Sequence, residues 1–142
     1  ARQRRWLCGL VFQFPERYFI GNSIGNELKI GHQYIKDEII RNVLEKVGLS
    51  KINLKMSPEK LSGGQQRRLA VAVQLLRDPK LILFDEPTAG LDWSIKNDVT
   101  NLIDELRVNN TILIVTHEPK LFKNLPTKIY TLNRGKLVSS QG

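Results

Sequence analysis

Leu81-Ile-Leu-Phe-Asp85-Glu86 is an apolar run that stops abruptly at two acids, and twenty residues before it stands Leu61-Ser-Gly-Gly-Gln65. Together these two stretches decide the fold. Four apolar residues in succession, without polar alternation, are the pattern of a strand buried on both faces, which in practice means a parallel sheet covered by helices. The two acids then fall at the carboxyl edge of that sheet, where ligands of open α/β sheets bind. The earlier stretch reads as the end of a loop and the start of a helix, because Ser62-x-x-Gln65 is a capping-box pattern. A helix start of this kind turns backbone N–H groups and a positive dipole end toward an anion, and it suits a terminal phosphate.

Strands and helices alternate outward from this pair. Trp6 to Phe12 is short and apolar and leads into Gln13-Phe-Pro-Glu16, so a buried strand is expected there with Gln13 at its end. Ile35, Ile39, Ile40, Val43, Leu44 and Val47 recur at helical spacing, with Gly48 as C-cap. The helix opened by Ser62 runs toward Asp78-Pro79, where proline forbids continuation, and a strand fills Lys80 to Phe84. After Asp92, a stripe of Ile95, Val99, Leu102, Ile103 and Leu106 predicts another helix. Thr111 to Val115 is β-branched and ends at Thr116-His117. Lys128 to Leu132, Asn133-Arg-Gly135 and Lys136 to Val138 predict a hairpin. Such alternation implies right-handed crossovers and a mainly parallel sheet.

Composition narrows the setting. The 142 residues, 41% hydrophobic, are enough for one modest domain with its own core. Lys and Arg total 22 against 14 acids, a net charge of +8, which permits contact with phosphates, nucleic acid or an anionic surface and is equally the mark of solvated helix faces. Only Arg2, Arg4 and Arg5 form a tight basic cluster. A lone Cys8 excludes an intramolecular disulfide, fits a reducing compartment and, beside Leu7, Leu10 and Val11, reads as a core thiol. No stretch approaches the roughly 20 apolar residues needed to cross a bilayer, so a soluble or peripherally bound product is expected.

The order Gln13, Leu61-Ser-Gly-Gly-Gln65, Asp85-Glu86, Asp92 and His117 resembles the distal part of an ATP-binding cassette (ABC) nucleotide-binding domain, over nearly the whole chain. The resemblance implies an α/β fold: part of a P-loop NTPase (RecA-like) parallel sheet flanked by helices, with an inserted α-helical subdomain. Residues 1–13 and 79–142 would belong to the core, and about 14–78 to the Q-loop, helical subdomain and signature helix. It also implies ATP and Mg²⁺ as cofactors. Gln13, at the Q-loop, offers an uncharged oxygen to Mg²⁺; read alone, it is a Gln at an exposed strand end. Leu61, Ser62, Gly63, Gly64 and Gln65 form the signature that contacts a γ-phosphate held by the opposite subunit, with the glycines letting phosphate approach the backbone. Asp85 is suited to holding Mg²⁺ through water, and Glu86 to polarising the attacking water as general base. His117, 31 residues past Glu86, would donate a hydrogen bond to the γ-phosphate. Asp92 closes Ala89-Gly-Leu-Asp92, the D-loop that crosses a dimer interface; its plain alternative is a helix cap, and both can hold. Trp93 stands where many relatives place proline. His32 has no such support and is read as a surface residue.

The sequence contains no Gly-x-x-x-x-Gly-Lys-Ser/Thr, the loop that cradles β- and γ-phosphates. In the family that loop, Walker A, precedes the Q-loop, so the expectation is a fragment lacking the first third of its domain and inactive by itself; a naturally shortened subunit is the alternative. Val11-Phe-Gln-Phe-Pro-Glu16 and Asp85-Glu-Pro-Thr-Ala-Gly-Leu-Asp92 are similar to the ATPase subunits of energy-coupling-factor importers for vitamins, cobalt or nickel and their plastid or cyanobacterial relatives, although Arg17-Tyr18 departs from their polar pair. The implied partners are a second ABC ATPase subunit, in a homo- or heterodimer, and a transmembrane transporter subunit. The implied place is peripheral, on the cytoplasmic face of a membrane or the stromal side of a plastid one. Two other readings stay open: a soluble ABC ATPase acting on nucleic acid or ribosomes, supported mainly by the +8 charge, and a noncatalytic partner supplying Ser62 to Gln65 in trans. The 47 residues between Gln13 and Leu61 leave no room for the long coiled coil of chromosome-type members.

Overall fold

The computed structural model describes residues 7–140, and Trp6 and the Arg2, Arg4 and Arg5 cluster lie outside the described residues. Three strands, β1 (Cys8–Val11), β2 (Leu81–Asp85) and β3 (Thr111–Val115), form a parallel sheet in the order β1-β2-β3. Val11 lies opposite Phe84, Phe84 opposite Ile114, and Asp85 opposite Val115, so all three strands end at one edge. The helices are α1 (Ile24–Lys29) and α2 (Asp37–Lys46), both between β1 and β2, then α3 (Gly63–Leu75), and α4 (Trp93–Leu106) between β2 and β3. Strands β4 (Ile129–Asn133) and β5 (Lys136–Ser140) form a separate antiparallel hairpin. Its two turn residues, Arg134 and Gly135, have φ of 46° and 76°, the positive pair that a two-residue hairpin loop demands.

Helix α3 is the hub. Five consecutive residues, Leu69 to Val73, are buried, because α3 touches β1, α1, α2 and α4 and is covered on nearly every side. Its start is fixed as the sequence pattern requires: Gln65 N donates to Ser62 Oγ at 3.3 Å and Ser62 N donates to Gln65 Oε1 at 3.0 Å, a complete capping box. Asp78, with φ of 49°, turns the chain before Pro79. Arg68 donates to the Val47 carbonyl at 3.0 Å, closing the end of α2, and pairs with Asp98 of α4 at 3.3 Å.

Several expectations change in detail. Strand β1 is shorter than the apolar run, and β2 begins one residue later and includes Asp85. Ile40, Val43, Leu44 and Val47 are buried, whereas Ile39 lies on the exposed side of α2. The six-residue α1 has no counterpart in the periodicity; Ser23 caps it by accepting from Asn26 N at 3.2 Å. Cys8 is half-buried. His32 is half-buried too, and desolvation, with the charge of Arg77 second, lowers its pKa. One sheet face is covered, with Val11, Ile82 and Phe84 in the core; on the other Leu10, Leu113 and Val115 are exposed and Leu83 is partly so.

Candidate functional site

Because the three parallel strands end together, the residues that follow them gather at one edge. Gln13 follows β1 by two positions, Asp85 closes β2 and Glu86 succeeds it, and Thr116-His117 continue from β3. The two acids have opposite surroundings. Asp85 is exposed, whereas Glu86 is 9% exposed. A backbone reversal separates them: Glu86 has φ of 46°, a left-handed conformation that a non-glycine residue adopts only when its surroundings impose it. Its N–H donates to the Val115 carbonyl at 2.9 Å, and its own carbonyl accepts from Ala89 N at 3.1 Å, closing a tight turn over Pro87 and Thr88. From that turn Glu86 Oε1 lies 3.5 Å from Nε2 of His117, whose ring is 96% exposed.

Two further groups hold the same turn. Thr88, fully buried, donates to Glu118 Oε2 at 2.9 Å, and the other oxygen of Glu118 takes Lys96 Nζ at 2.5 Å. Glu118 N donates to Thr116 Oγ1 at 2.9 Å, so the residue after His117 is fixed to both the turn and the first turns of α4. The hydrogen bond from Lys96, then that from Thr88, holds the Glu118 carboxyl below the usual glutamate range. From the opposite side Arg67 of α3 donates through Nε to the Pro87 carbonyl at 2.6 Å and through its second guanidinium nitrogen to the Ala89 carbonyl. Arg67 is 5% exposed, and its burial lowers its pKa, while the charge of Glu16 opposes that shift.

The signature residues divide by environment. Leu61 and Gly64 are buried, whereas Ser62, Gly63 and Gln65 are exposed. The Ser62 oxygen is occupied as an acceptor in the capping box, which leaves its O–H free to donate. A Cβ on Gly64 would come within 2.6 Å of Ile95 Cγ2, so the missing side chain lets α3 approach α4. Asp92 stands at the N-cap position of α4 and is exposed, yet its carboxylate makes no capping bond, so the cap reading holds for the backbone and not for the side chain. Trp93, at the first helical position, is exposed. Glu27 went unread in the sequence: it is buried and accepts from the N–H groups of Ile20 and Gly21 at 2.9 and 2.7 Å, anchoring the loop that follows Gln13. Thr88, Arg67 and Glu118 were missed as well.

Among the described residues no group of three His, Cys, Asp or Glu side chains could enclose a metal. Asp85 and Gln13 provide oxygen donors only. That set fits Mg²⁺, which takes one or two protein ligands and fills its octahedron with water and phosphate oxygens.

An α/β parallel sheet flanked by helices, with two acids at a strand end and a capped helix start beside it, is part of a P-loop NTPase fold. The model of the ABC transporter family matches residues 2–89, and the chain belongs to that family. It is 35% identical over 142 residues to ABC transporter I family member 11, chloroplastic, of Arabidopsis thaliana, covering 94% of this chain and 51% of that protein. It is 38% identical over 146 residues to the energy-coupling factor transporter ATP-binding protein EcfA2 of Streptococcus sanguinis, covering 98% of this chain and 52% of that one. The solved structure of cbiO1 from Clostridium perfringens, described as part of the ABC transporter complex cbiONQ, superimposes with a TM-score of 0.85 at 27% identity over 96% of this chain and 57% of its own. The chain thus spans about half the length of the curated relatives it matches. Among the described residues no helix is long and apolar enough to cross a membrane.

Proposed function

We propose that this chain is the signature-bearing half of an energy-coupling-factor-type transporter ATPase, which hydrolyses ATP in a head-to-tail dimer and works peripherally at a membrane with transmembrane subunits. The observation that carries this reading is the pair of carboxylates at the end of β2, one exposed and one nearly buried, with His117 3.5 Å from the buried one. Glu86 takes the proton of the attacking water, because a carboxylate withdrawn from solvent and facing an imidazole at 3.5 Å is placed for general-base work. His117, presented at the surface beside it, donates to the γ-phosphate and aligns that water. Asp85 and Gln13 would hold Mg²⁺, which when bound would neutralise charge on the phosphate oxygens.

Residues 61–65 serve the other subunit: the Ser62 O–H and the first N–H groups of α3 face its γ-phosphate, while Asp92, unused as a cap, reaches across the interface. In this division, residues 14–78 form the helical subdomain and Q-loop, and 1–13 and 79–142 the core. The names of the similar proteins support the energy-coupling-factor assignment.

The test is Glu86→Gln in the native ATPase that carries this chain, assembled with its partner subunits. Turnover is expected to fall about 10²- to 10⁴-fold while ATP binding persists. Unchanged steady-state hydrolysis would remove Glu86 as the base. Normal hydrolysis by Ser62→Arg, which puts bulk and charge where phosphate docks, would remove the trans role of the signature. Loss in Ser62→Arg with none in Glu86→Gln would favour a noncatalytic partner that supplies only Ser62 to Gln65.

A further inference from the structure

Arg67 holds a guanidinium in the protein interior and directs it at two backbone carbonyls rather than at a carboxylate. Val11, Phe84, Val99 and Ile103 line the same small cavity as its side chain. Burying a cation among apolar groups is costly, and two neutral acceptors with the charge of Glu16 nearby, which forms no ion pair with it, compensate less than a bidentate carboxylate does. A Met or Leu of similar volume would fill the space without that cost. Packing therefore does not account for the charge, whereas the geometry of its acceptors does. Pro87 and Ala89 bracket Thr88 in the turn that places Glu86 at a φ of 46°. Arg67 itself lies five positions after Ser62, in the helix whose start carries the signature.

We infer that Arg67 is a positioning residue: its fork fixes the Glu86 turn to the signature helix, so that a displacement of α3 is transmitted to the carboxylate of Glu86. The inference rests on the reading of Glu86 as general base. A planar fork reaches two carbonyls at fixed spacing, which the single ammonium of lysine does not reproduce. The contact also has a direction of action. When phosphate docks at the start of α3, any shift of that helix along its axis pulls on the carbonyls of Pro87 and Ala89 and thereby on the backbone that orients Glu86. The start of α3 and the base are linked in this way through one side chain.

The experiment is a double-mutant cycle between Arg67 and Glu86 in the native ATPase complex, read as kcat and KM for ATP. Arg67→Lys, which keeps the charge and loses the fork, is expected to lower kcat about 10- to 10²-fold, the loss that an ångström of misplacement causes, with KM changed less than twofold. In a Glu86→Gln background the same substitution is expected to lower kcat no further, since the group it positions is gone. Hydrogen exchange supplies a readout independent of turnover: the amide of Ala89 should lose protection in Arg67→Lys while those of Leu69 to Val73 in the middle of α3 keep theirs. An equal loss of kcat in both backgrounds would overturn the inference, as would an unchanged kcat in Arg67→Lys. Loss of protection throughout α3 would also overturn it, by showing a general structural role. Wild-type turnover in Glu86→Gln alone would instead remove the base reading, a result distinct from each of these.

Discussion

Adding one carbon at Gly64 tests the argument that this glycine exists for helix packing. Gly63 and Gly64 both lie in the first turn of α3 with no positive φ, so alanine is conformationally acceptable at either and relieves the helix of glycine's entropic disadvantage, about 0.5–1 kcal/mol. The two positions differ in what the new Cβ meets. At Gly63 it would lie 3.4 Å from Leu91 Cδ2, the edge of ordinary contact. At Gly64 it would lie 2.6 Å from Ile95 Cγ2, which is 0.8 Å short of that limit, and the β-branched Ile95 has no free rotamer in a helix with which to yield. Overpacking of this kind costs about 1–3 kcal/mol. Gly63→Ala should therefore leave stability unchanged or raise it by up to about 1 kcal/mol, and Gly64→Ala should lower it by up to about 2.5 kcal/mol, once the helix gain is offset. Urea unfolding measures both, with the slope m checked for constancy so that the midpoints compare. Combining Gly64→Ala with Ile95→Ala removes the obstructing methyl, and the pair should be less destabilised than the two single changes added together, by about 1–3 kcal/mol. Strict additivity, or equal effects of the two glycine substitutions, would refute the packing explanation.

Ser62→Ala removes the side-chain half of the capping box and should cost about 0.5–2 kcal/mol in the same unfolding assay, whereas Ser62→Thr should restore most of it. The Glu118 carboxyl should titrate below the usual glutamate range when followed by carbon NMR, and Lys96→Met should move it back toward that range. Because the folded pKa is the depressed one, the contribution of Glu118 to stability is complete above about pH 4.5 and is lost as pH falls through the folded pKa; a midpoint that Lys96→Met leaves in place would remove the ion pair as cause. Calorimetry of these 142 residues alone should show no saturable ATP binding below millimolar concentration, since the sequence holds no phosphate-cradling Gly-Lys-Ser/Thr loop. Tight binding would show that a cradle exists elsewhere in the chain.

Most of the sheet and the long helices were legible in the sequence, because their apolar periods are strong and their boundaries carry chemistry. Ser62 and Gln65 announced the start of α3, Pro79 its limit, and Asn133-Arg-Gly135 the hairpin turn. The short α1 was not legible: six residues give less than two turns of pattern, and its buried Glu27 contradicts the expectation that acids face water. Glu27 is stable there because two backbone N–H groups of the preceding loop point at it, a tertiary fact with no local trace. Arg67 and Arg68 stand side by side in the sequence, where nothing separates their roles; in the fold, one enters the core and the other spans α2 and α4. The strand ends were brought together as their order implied, while the network through Thr88, Lys96 and Glu118 depended on contacts 22 and 30 residues apart in the chain.

The adjacency of Asp85 and Glu86 explains how one strand end serves two tasks. Successive residues of a strand point to opposite sides, so an extended continuation past Asp85 would send Glu86 toward the covered face, among Phe84 and the helices. The left-handed turn at Glu86 prevents this. It redirects the carboxylate along the edge toward His117 while Asp85 keeps the strand's own direction into solvent, so the metal ligand and the base proposed for these two positions need not compete for one ion. That conformation is unfavourable by about 1–3 kcal/mol for a side chain bearing a Cβ and persists only if its surroundings over-determine it. Here they do: Val115 accepts from its N–H, Arg67 clamps the two carbonyls beyond it, and Glu118 holds Thr88. Glu86→Gly would relieve the strain and abolish the carboxylate together, so the separation of these effects falls to Glu86→Gln, which keeps the backbone demand, and to Thr88→Val, which weakens the restraint while leaving the acid in place. Thr88→Val should lower turnover without removing it, and a loss as large as that of Glu86→Gln would mean that Thr88 acts on the reacting atoms and not through the turn.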